Sequence, residues 1–333
     1  MLSYVMRRLA DTIPLLFGMV LVIFVMLEVT SGDPVAAIVG EYPVPPEFRK
    51  ALTEEYHLDA PLWERLYYFF ANIVQGNLGY SYASNAPVTT LIMERLPQTL
   101  ALAGSAYVLG IASGLVLGAV SAITTRRSVD AAVSSVMLGV YAIPSFWLGQ
   151  ILVIAFAVNV EWFPLQGMAP LISDSTGLAW VLERLHYLAL PMLTYALHEA
   201  ARVARLSRVS VMETMGQGYI ATAQLKGLTG GQIIRRHMLR NPTLPVVTAM
   251  GYSLAVAIGG TVLIETVFSW PGVGLLLVES IRQRDNQVIV GIMLLISIMV
   301  IIVIGLAIWP LEARIVYGQF IVLREREFCS ATA

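Results

Sequence analysis

The run HEAAR, from His198 to Arg202, is the residue pattern with the clearest capacity for chemistry. In the zinc-binding pattern H-E-x-x-H, two histidines one helical turn apart hold the metal and the glutamate acts as a general base. Arg202 occupies the second histidine position here, and a guanidinium cannot ligate zinc. The single cysteine, Cys329, cannot build a disulfide framework or a cysteine-rich metal site. The sequence therefore predicts neither a metalloprotease nor a redox protein.

No G-x-x-x-x-G-K-[ST] run occurs in the 333 residues, so the chain by itself is not expected to hydrolyse ATP. A charged residue at the centre of a bilayer costs about 2.5–3.5 kcal/mol, which makes such residues functional candidates. Glu28, Glu199 and Glu265 lie towards the ends of apolar stretches, which predicts interfacial solvation and argues against proton-coupled transport. Asp11 and Asp130 leave that alternative open.

The composition is typical of an integral membrane protein. Only 13% of the residues are charged, against about 25% in soluble domains, and the net charge of −1 excludes a generally basic nucleic-acid-binding protein. A helix needs roughly 20 mainly apolar residues to cross the hydrocarbon core. Six stretches meet this requirement: 9–29, 98–123, 132–158, 188–206, 245–267 and 288–309. The first is longer than a signal-peptide core, so it is predicted to be retained as a span.

The distribution of basic residues predicts the orientation of the spans. Most Lys and Arg residues lie at the N-terminus, in the 124–130 turn, in the 200–243 segment and in the C-terminal tail. This bias places both termini in the cytosol. We expect four parts: the N-terminus and first span at 1–30, an extracytoplasmic insert at 31–97, a five-span core at 98–309 with a cytoplasmic loop at 207–243, and a cytoplasmic tail at 310–333.

The insert carries its own helix signals. Pro45 and Pro46 precede EFRKALTEEYH, and Pro61 opens PLWERLYYFFANI, and both runs repeat apolar residues at helical spacing. They predict short helices lying over the membrane, followed by a polar loop with the sequence QGNLGYSYASN. The insert is either a structural lid or a docking surface for an external partner.

The cytoplasmic segment YIATAQLKGLTGGQIIRRHMLRNPTLP begins at Tyr219 and predicts a short helix with a defined end. The small residues Ala221–Ala223 make this helix slim, and Lys226 suits its negative C-terminal end. Gly227 is a ready helix stop. Such a helix has little side-chain bulk and can enter a groove on another protein, although an ordinary amphipathic loop remains an alternative.

A second short helix is predicted directly after the first. Thr229 and Gln232 have the capping-box spacing that starts a helix, and Asn241 precedes Pro242 and ends it. Three arginines with a spacing of three residues line one face of the helix that leads into the segment: Arg202, Arg205 and Arg208. Two short helices with defined ends are therefore expected at the membrane surface.

This segment resembles the cytoplasmic loop of binding-protein-dependent ABC transporter permeases. In that family an E-A-A-x-x-x-G motif forms the coupling helix, which inserts into a groove of the ATPase subunit. Aligned on Gly227, the triplet here is Ala221, Thr222 and Ala223, without the family's Glu. TAQLKGL and RRHMLRN look like the oligopeptide, dipeptide and nickel branch, which commonly lacks that Glu. Seven further blocks match in order: YVMRRL, SGDP, YHLDAPLWERL, GNLGYS, ERLPQTL, IPSFWLG and ETVFSWPGVG.

The resemblance implies an all-α integral membrane protein with six transmembrane helices, the type I ABC importer permease fold and a helical outer insert after the first span. The implied partners are a second homologous permease, two ABC ATPase subunits, an extracytoplasmic substrate-binding protein and the lipid bilayer, with no nucleic acid. No cofactor is implied in this chain, because ATP and Mg are bound by the partner ATPases. The implied location is the cytoplasmic or inner membrane of a bacterium or archaeon.

The function implied is ATP-driven uptake of di- or oligopeptides by alternating access, with nickel chelates, glutathione or another small solute as alternative cargo. The residues implied to couple to the ATPase are Tyr219, Ile220, Ala221, Thr222, Ala223, Lys226 and Gly227. The residues assigned to support of the loop are Arg205, Arg208, Glu213, Thr229, Gln232, Arg236 and Arg240. Position alone makes Tyr141, Ser145, Trp147 and Glu265 candidates for lining a translocation path. A self-sufficient secondary transporter and a membrane enzyme are the competing classes.

Overall fold

The computed structural model describes residues 13–26, 35, 45–55, 59–170, 175–234 and 260–303, and this part of the chain is mostly helical. The helices are α1 (Ile13–Met26), α2 (Pro46–Glu55), α3 (Leu62–Val74), α4 (Val88–Ile123), α5 (Arg127–Ala142), α6 (Ser145–Leu152), α7 (Gly177–Met215), α8 (Gly218–Leu225), α9 (Gly230–Ile233), α10 (Gly260–Phe268), α11 (Val273–Gln283) and α12 (Asn286–Val303). A π-helical stretch, Val153–Asn159, follows α6 directly.

Within the described residues, two helices, α4 and α12, are long and apolar enough to cross a membrane. The number rises to four if two broken pairs each count as one span: α5 with the helix that starts at Ser145, and α10 with α11. The predicted spans at 98–123 and 288–309 fall on α4 and α12, although α4 begins ten residues earlier, at Val88. The predicted spans at 9–29, 245–267 and 288–309 extend outside the described residues.

The predicted continuous span at 132–158 is wrong in one respect, since the helix is interrupted at Ile143 and Pro144. Ile143 has an extended backbone, with φ −83° and ψ 128°. A residue that precedes proline is pushed out of the α region by the proline ring, which ends α5 at Ala142. The polypeptide then restarts as α6 at Ser145.

The chain divides into two compact units, each assembled from three separate stretches. The first unit contains α1–α3, α10 and α11, the start of α4 and most of α12. An apolar cluster in this unit joins the start of α4 to α11 and α12, with the buried residues Val88, Ile92, Val273, Leu276, Leu277, Val288 and Ile292. This core connects the last part of the predicted insert to residues near the end of the described chain.

The predicted short helices of the insert are confirmed as α2 and α3. The QGNLGYSYASN run is more ordered than the predicted loop, because it contains strand β1 (Tyr80–Ser81), which pairs antiparallel with β2 (Ala86–Pro87). Two-residue strands are too short to produce an alternating pattern, so periodicity does not predict them.

The β-hairpin is attached to the start of α12. The Ser81 hydroxyl donates a hydrogen bond to Oδ2 of Asp285 at 2.5 Å, and both side chains are buried. Oδ1 of Asp285 accepts a bond from the backbone N–H of Val288, 3.3 Å away, in the first turn of α12. One carboxylate therefore caps α12 and holds the hairpin.

The second unit contains the rest of α4 and α7, with α5, α8 and α9. Glycines of α4 at 110, 114 and 118 lie directly against the backbone and side chains of α7. A Cβ atom added at Gly114 would lie 2.7 Å from Cβ of Val203 and 2.8 Å from the carbonyl oxygen of Ala200. Helices α4 and α7 therefore approach closely at these positions, and only a residue without Cβ permits that approach.

Candidate coupling segment and its support

The end of α8 is a complete Schellman motif. Gly227 has φ +77°, a left-handed conformation that favours glycine. Its N–H donates to the carbonyl oxygen of Gln224 at 2.9 Å, and the N–H of Leu228 donates to that of Ala223 at 3.2 Å. The predicted helix stop at Gly227 is therefore confirmed, and the orphan carbonyls of α8 are satisfied locally.

The start of α9 has the capping box that the sequence predicts. The backbone N–H of Thr229 donates to Oε1 of Gln232 at 2.9 Å. Because Thr229 follows the Schellman turn after one residue, α8 and α9 are joined by a short connection with fixed geometry at both ends. Such a connection lets the two helices act as one rigid piece.

The side chains of α8 divide into a buried and an exposed set. Ile220 and Ala223 are buried in a cluster with Ile233 of α9, and Ile123 at the end of α4 packs against it. Leu225 is 89% exposed and Tyr219 is 41% exposed. Ala221, Thr222 and Lys226 are also exposed. Ile220 and Ala223 therefore hold α8 in place, and the exposed set, with Leu225 as its most prominent apolar member, is available to another protein.

Arg208, two turns before the end of α7, makes the strongest polar contact near this segment. Its Nη2 donates to Oδ2 of Asp130 at 2.8 Å and its Nε donates to Oδ1 at 2.9 Å, a bidentate pair with the first turn of α5. Ser121, near the end of α4, donates to the same carboxylate, as does Ser134 of α5. The four residues, which we call the Asp130 clamp, join α4, α5 and α7.

The three arginines that the sequence places on one helix face have three different partners. Arg202 forms an ion pair with Glu199. The Cζ atom of Arg205 lies 5.0 Å from the centroid of the Tyr141 ring. Arg205 and Tyr141 also border a mainly apolar cavity of about 220 Å³ between α4, α5 and α7. Arg208 belongs to the clamp, so these residues do more than anchor the helix at the lipid headgroups.

Glu265 lies at a helix break in the first unit. Its carboxylate accepts bonds from the Thr99 hydroxyl at 2.8 Å and from the backbone N–H of Leu275 at 3.0 Å. The Thr99 oxygen in turn accepts from the N–H of Val273 at 2.8 Å. These two side chains cap α11, which starts at an angle of 79° to α10.

The two glutamates in described apolar stretches contradict the predicted interfacial solvation. Glu265 is 0% exposed and Glu199 is 6% exposed, so both are buried within the chain. Burial is tolerated because each carboxylate has partners: helix N–H groups and a hydroxyl for Glu265, and Arg202 for Glu199. The geometry gives Glu265 a structural role, and its place on a translocation path stays a prediction.

The remaining predicted site residues that the structure describes lie outside the Asp130 clamp and the cluster that holds α8. Tyr141 stacks on His198 with ring centroids 5.9 Å apart, and Trp147 is 51% exposed in α6, near Ser145. Glu213 is exposed near the end of α7. Arg236 and Arg240 lie outside the described residues.

Solved structures of similar fold are membrane transporters. A methionine ABC transporter in an inward-facing conformation superposes with a TM-score of 0.54, 18% sequence identity and coverage of 67% of this chain and 95% of its own. An amino acid ABC transporter gives a TM-score of 0.50 at 16% identity, covering 68% and 94%. At such identities the likeness shows the fold alone, which is that of a membrane subunit of ABC transporters.

Sequence relatives align over nearly the whole chain. The di/tripeptide transport system permease protein of Pseudomonas aeruginosa is 33% identical over 91% of this chain and 94% of the relative. The oligopeptide transport system permease protein of Bacillus subtilis has the same identity and coverage, and the dipeptide transport system permease protein of Escherichia coli is 32% identical with equal coverage.

The fold is that of a membrane component of ABC transporters, and the sequence relatives are permease subunits of such transporters. The chain belongs to the family described as binding-protein-dependent transport system inner membrane component, whose model matches residues 114–311, and the model of that family's N-terminal region matches residues 1–103. It is a non-catalytic membrane subunit of an importer that works with ATPase and substrate-binding partners.

Proposed function

We propose that this permease imports di- or oligopeptides that a substrate-binding protein delivers, and that it does so by alternating access. The observation that carries the proposal is the alignment over 91% of the chain with relatives that are named as peptide permeases. Nickel chelates, glutathione and other small solutes are the competing cargo within the same type of complex.

The importer is completed by a second homologous permease and two ATPase subunits. The exposed set of α8 enters a groove of one ATPase, and the Schellman turn, the capping box and the Asp130 clamp transmit its displacement to α4, α5 and α7. ATP and Mg bind only to the ATPases, so this chain has no cofactor of its own. A two-state displacement of a rigid segment is an established way to connect nucleotide binding to a membrane gate.

The proposed topology follows from the same assignment. Both termini and the 207–243 loop face the cytosol, and the 31–97 insert faces the outside, where the binding protein docks. The excess of basic residues around α8 supports this orientation.

The test is reconstitution of the complete complex in liposomes with its binding protein and a panel of labelled solutes. We expect uptake of a labelled dipeptide that requires ATP, the binding protein and all subunits. Selective uptake of a nickel chelate or glutathione instead would replace peptides as the cargo. Ion-gradient-driven uptake by the purified chain alone would refute the importer mechanism and indicate a secondary transporter.

A further inference from the structure

Helix α3 packs alongside apolar helices at a depth well within the candidate span α12. The ring of Phe70 stacks on Phe17 of α1 with centroids 4.6 Å apart, and Phe69 contacts Phe24 at 5.6 Å. The same cluster includes the buried residues Val290 and Leu294 of α12. At 1.5 Å per residue these two lie about 6 and 12 Å from the start of α12 at Asn286. Helix α3 therefore lies beside the first turns of a spanning helix instead of beyond its end.

The large exposed side chains of α3 are apolar and aromatic. Leu62 is 61% exposed, Trp63 69%, Tyr67 68% and Val74 82%. The two charged residues of the helix, Glu64 and Arg65, are half-buried. A helix exposed to water has the opposite distribution, with charged residues outward and apolar residues inward. The exposed side of α3 therefore has the polarity expected for contact with an apolar medium.

Two observations identify that medium as lipid. Helix α3 packs against α1, whose own exposed side chains are apolar as well: Val22 is 58% exposed and Met26 is 63% exposed. Trp and Tyr, which dominate the exposed side of α3, are the residues enriched at the boundary between lipid headgroups and acyl chains.

We propose that α3 lies in this boundary layer of the bilayer, with Trp63 and Tyr67 as interfacial anchors. The proposal rests on the proposed function in one respect: that function places the 31–97 insert, and with it α3, on the outer side of the membrane. Because β1 begins six residues after α3 ends, the anchor also fixes the height of the β-hairpin at the membrane surface. Within the described part of the insert, α2 and the hairpin are then left for contact with the binding protein.

The experiment measures the surroundings of single spin labels in the reconstituted complex. In a Cys329→Ser background, Trp63→Cys and Tyr67→Cys carry the test labels, Val22→Cys is the matched lipid-facing control and Glu54→Cys is the water-facing control. Accessibility to oxygen, which partitions into lipid, and to a water-soluble nickel chelate gives the depth of each label. Labels at 63 and 67 are expected to be accessible to oxygen and shielded from the nickel chelate, as is the label at 22, but to lie nearer the surface, about 5–10 Å below the phosphates.

The other outcomes contradict the proposal. Nickel accessibility at 63 and 67 equal to that at 54 would place α3 in water. Protection from both reagents would mean that a protein, either the second permease or the binding protein, covers the surface instead of lipid. ATP-driven dipeptide uptake is measured in the same liposomes, so that a failure of the proposed function is recognised separately. A label at either site whose variant loses assembly is replaced by one at Val74, for which the same result is expected.

Discussion

The replacement Leu225→Ala tests the proposed coupling surface most directly. Because Leu225 is 89% exposed in the chain, it contributes little to the folding of α8, and nearly its whole side chain is available for burial against an ATPase. Full burial of a leucine side chain contributes roughly 1.5–3 kcal/mol, so truncation to alanine removes about 2 kcal/mol of binding free energy. Since 1.4 kcal/mol corresponds to a factor of ten, the dissociation constant is expected to rise about thirtyfold.

The assay is binding of the purified ATPase to the permease in nanodiscs, followed by ATP-driven uptake with the reconstituted complex. Leu182→Ala is the matched control, because it makes the same chemical change at a leucine of α7 that is 58% exposed. Thermal unfolding of the Leu225→Ala chain should be unchanged. ATPase affinity and uptake equal to those of the unmodified permease would show that the exposed side of α8 is not the docking surface.

Three further predictions concern the framework around this surface. Gly114→Val should lower the unfolding temperature, because the added side chain forces α4 and α7 apart at an overpacking cost of about 1–3 kcal/mol. Gly104→Val is the control and should leave the temperature unchanged, because no atom of another element lies within 4 Å of a Cβ added there. Asp130→Arg and Arg208→Asp should each reduce uptake per ATP hydrolysed and the double variant should restore it; failure of the exchange to restore coupling would contradict a role for the ion pair itself. Glu265→Gln should lower the unfolding temperature, because the amide cannot accept every bond that the buried carboxylate accepts and an unpaired buried group costs about 1–3 kcal/mol; an unchanged temperature would show that the cap is dispensable.

The sequence predicted those features that depend on neighbouring residues. The stop at Gly227 and the capping box at Thr229 and Gln232 involve bonds between residues no more than five positions apart, and each residue type has a specific backbone preference. The interruption before Pro144 had a signal of the same kind, since proline restricts the preceding residue, but the length of the apolar run concealed it. Helix ends that depend on neighbouring residues can therefore be predicted from the sequence, unless a long apolar run predicts a continuous helix at the same place.

The sequence could not predict contacts between distant residues. Arg208 and Asp130 are separated by 78 positions and Thr99 and Glu265 by 166, and no periodicity connects them. The burial of Glu199 and Glu265 was missed for the same reason, because an apolar stretch does not show which of its carboxylates will find a partner. Within α8, the division into buried Ile220 and exposed Leu225 depends on the position of Ile123, which belongs to another helix.

The bond from Ser81 to Asp285 has a consequence for the order in which the protein is made. The two residues are 204 positions apart, and ribosomes add about 5–20 residues per second. Asp285 is therefore synthesised roughly 10–40 s after the hairpin. During that interval the hydroxyl of Ser81, which is buried in the finished chain, lacks the Asp285 carboxylate that accepts its hydrogen bond. Completion of the early insert thus depends on synthesis of the final described helix, and a nascent chain truncated before Asp285 would lack this attachment.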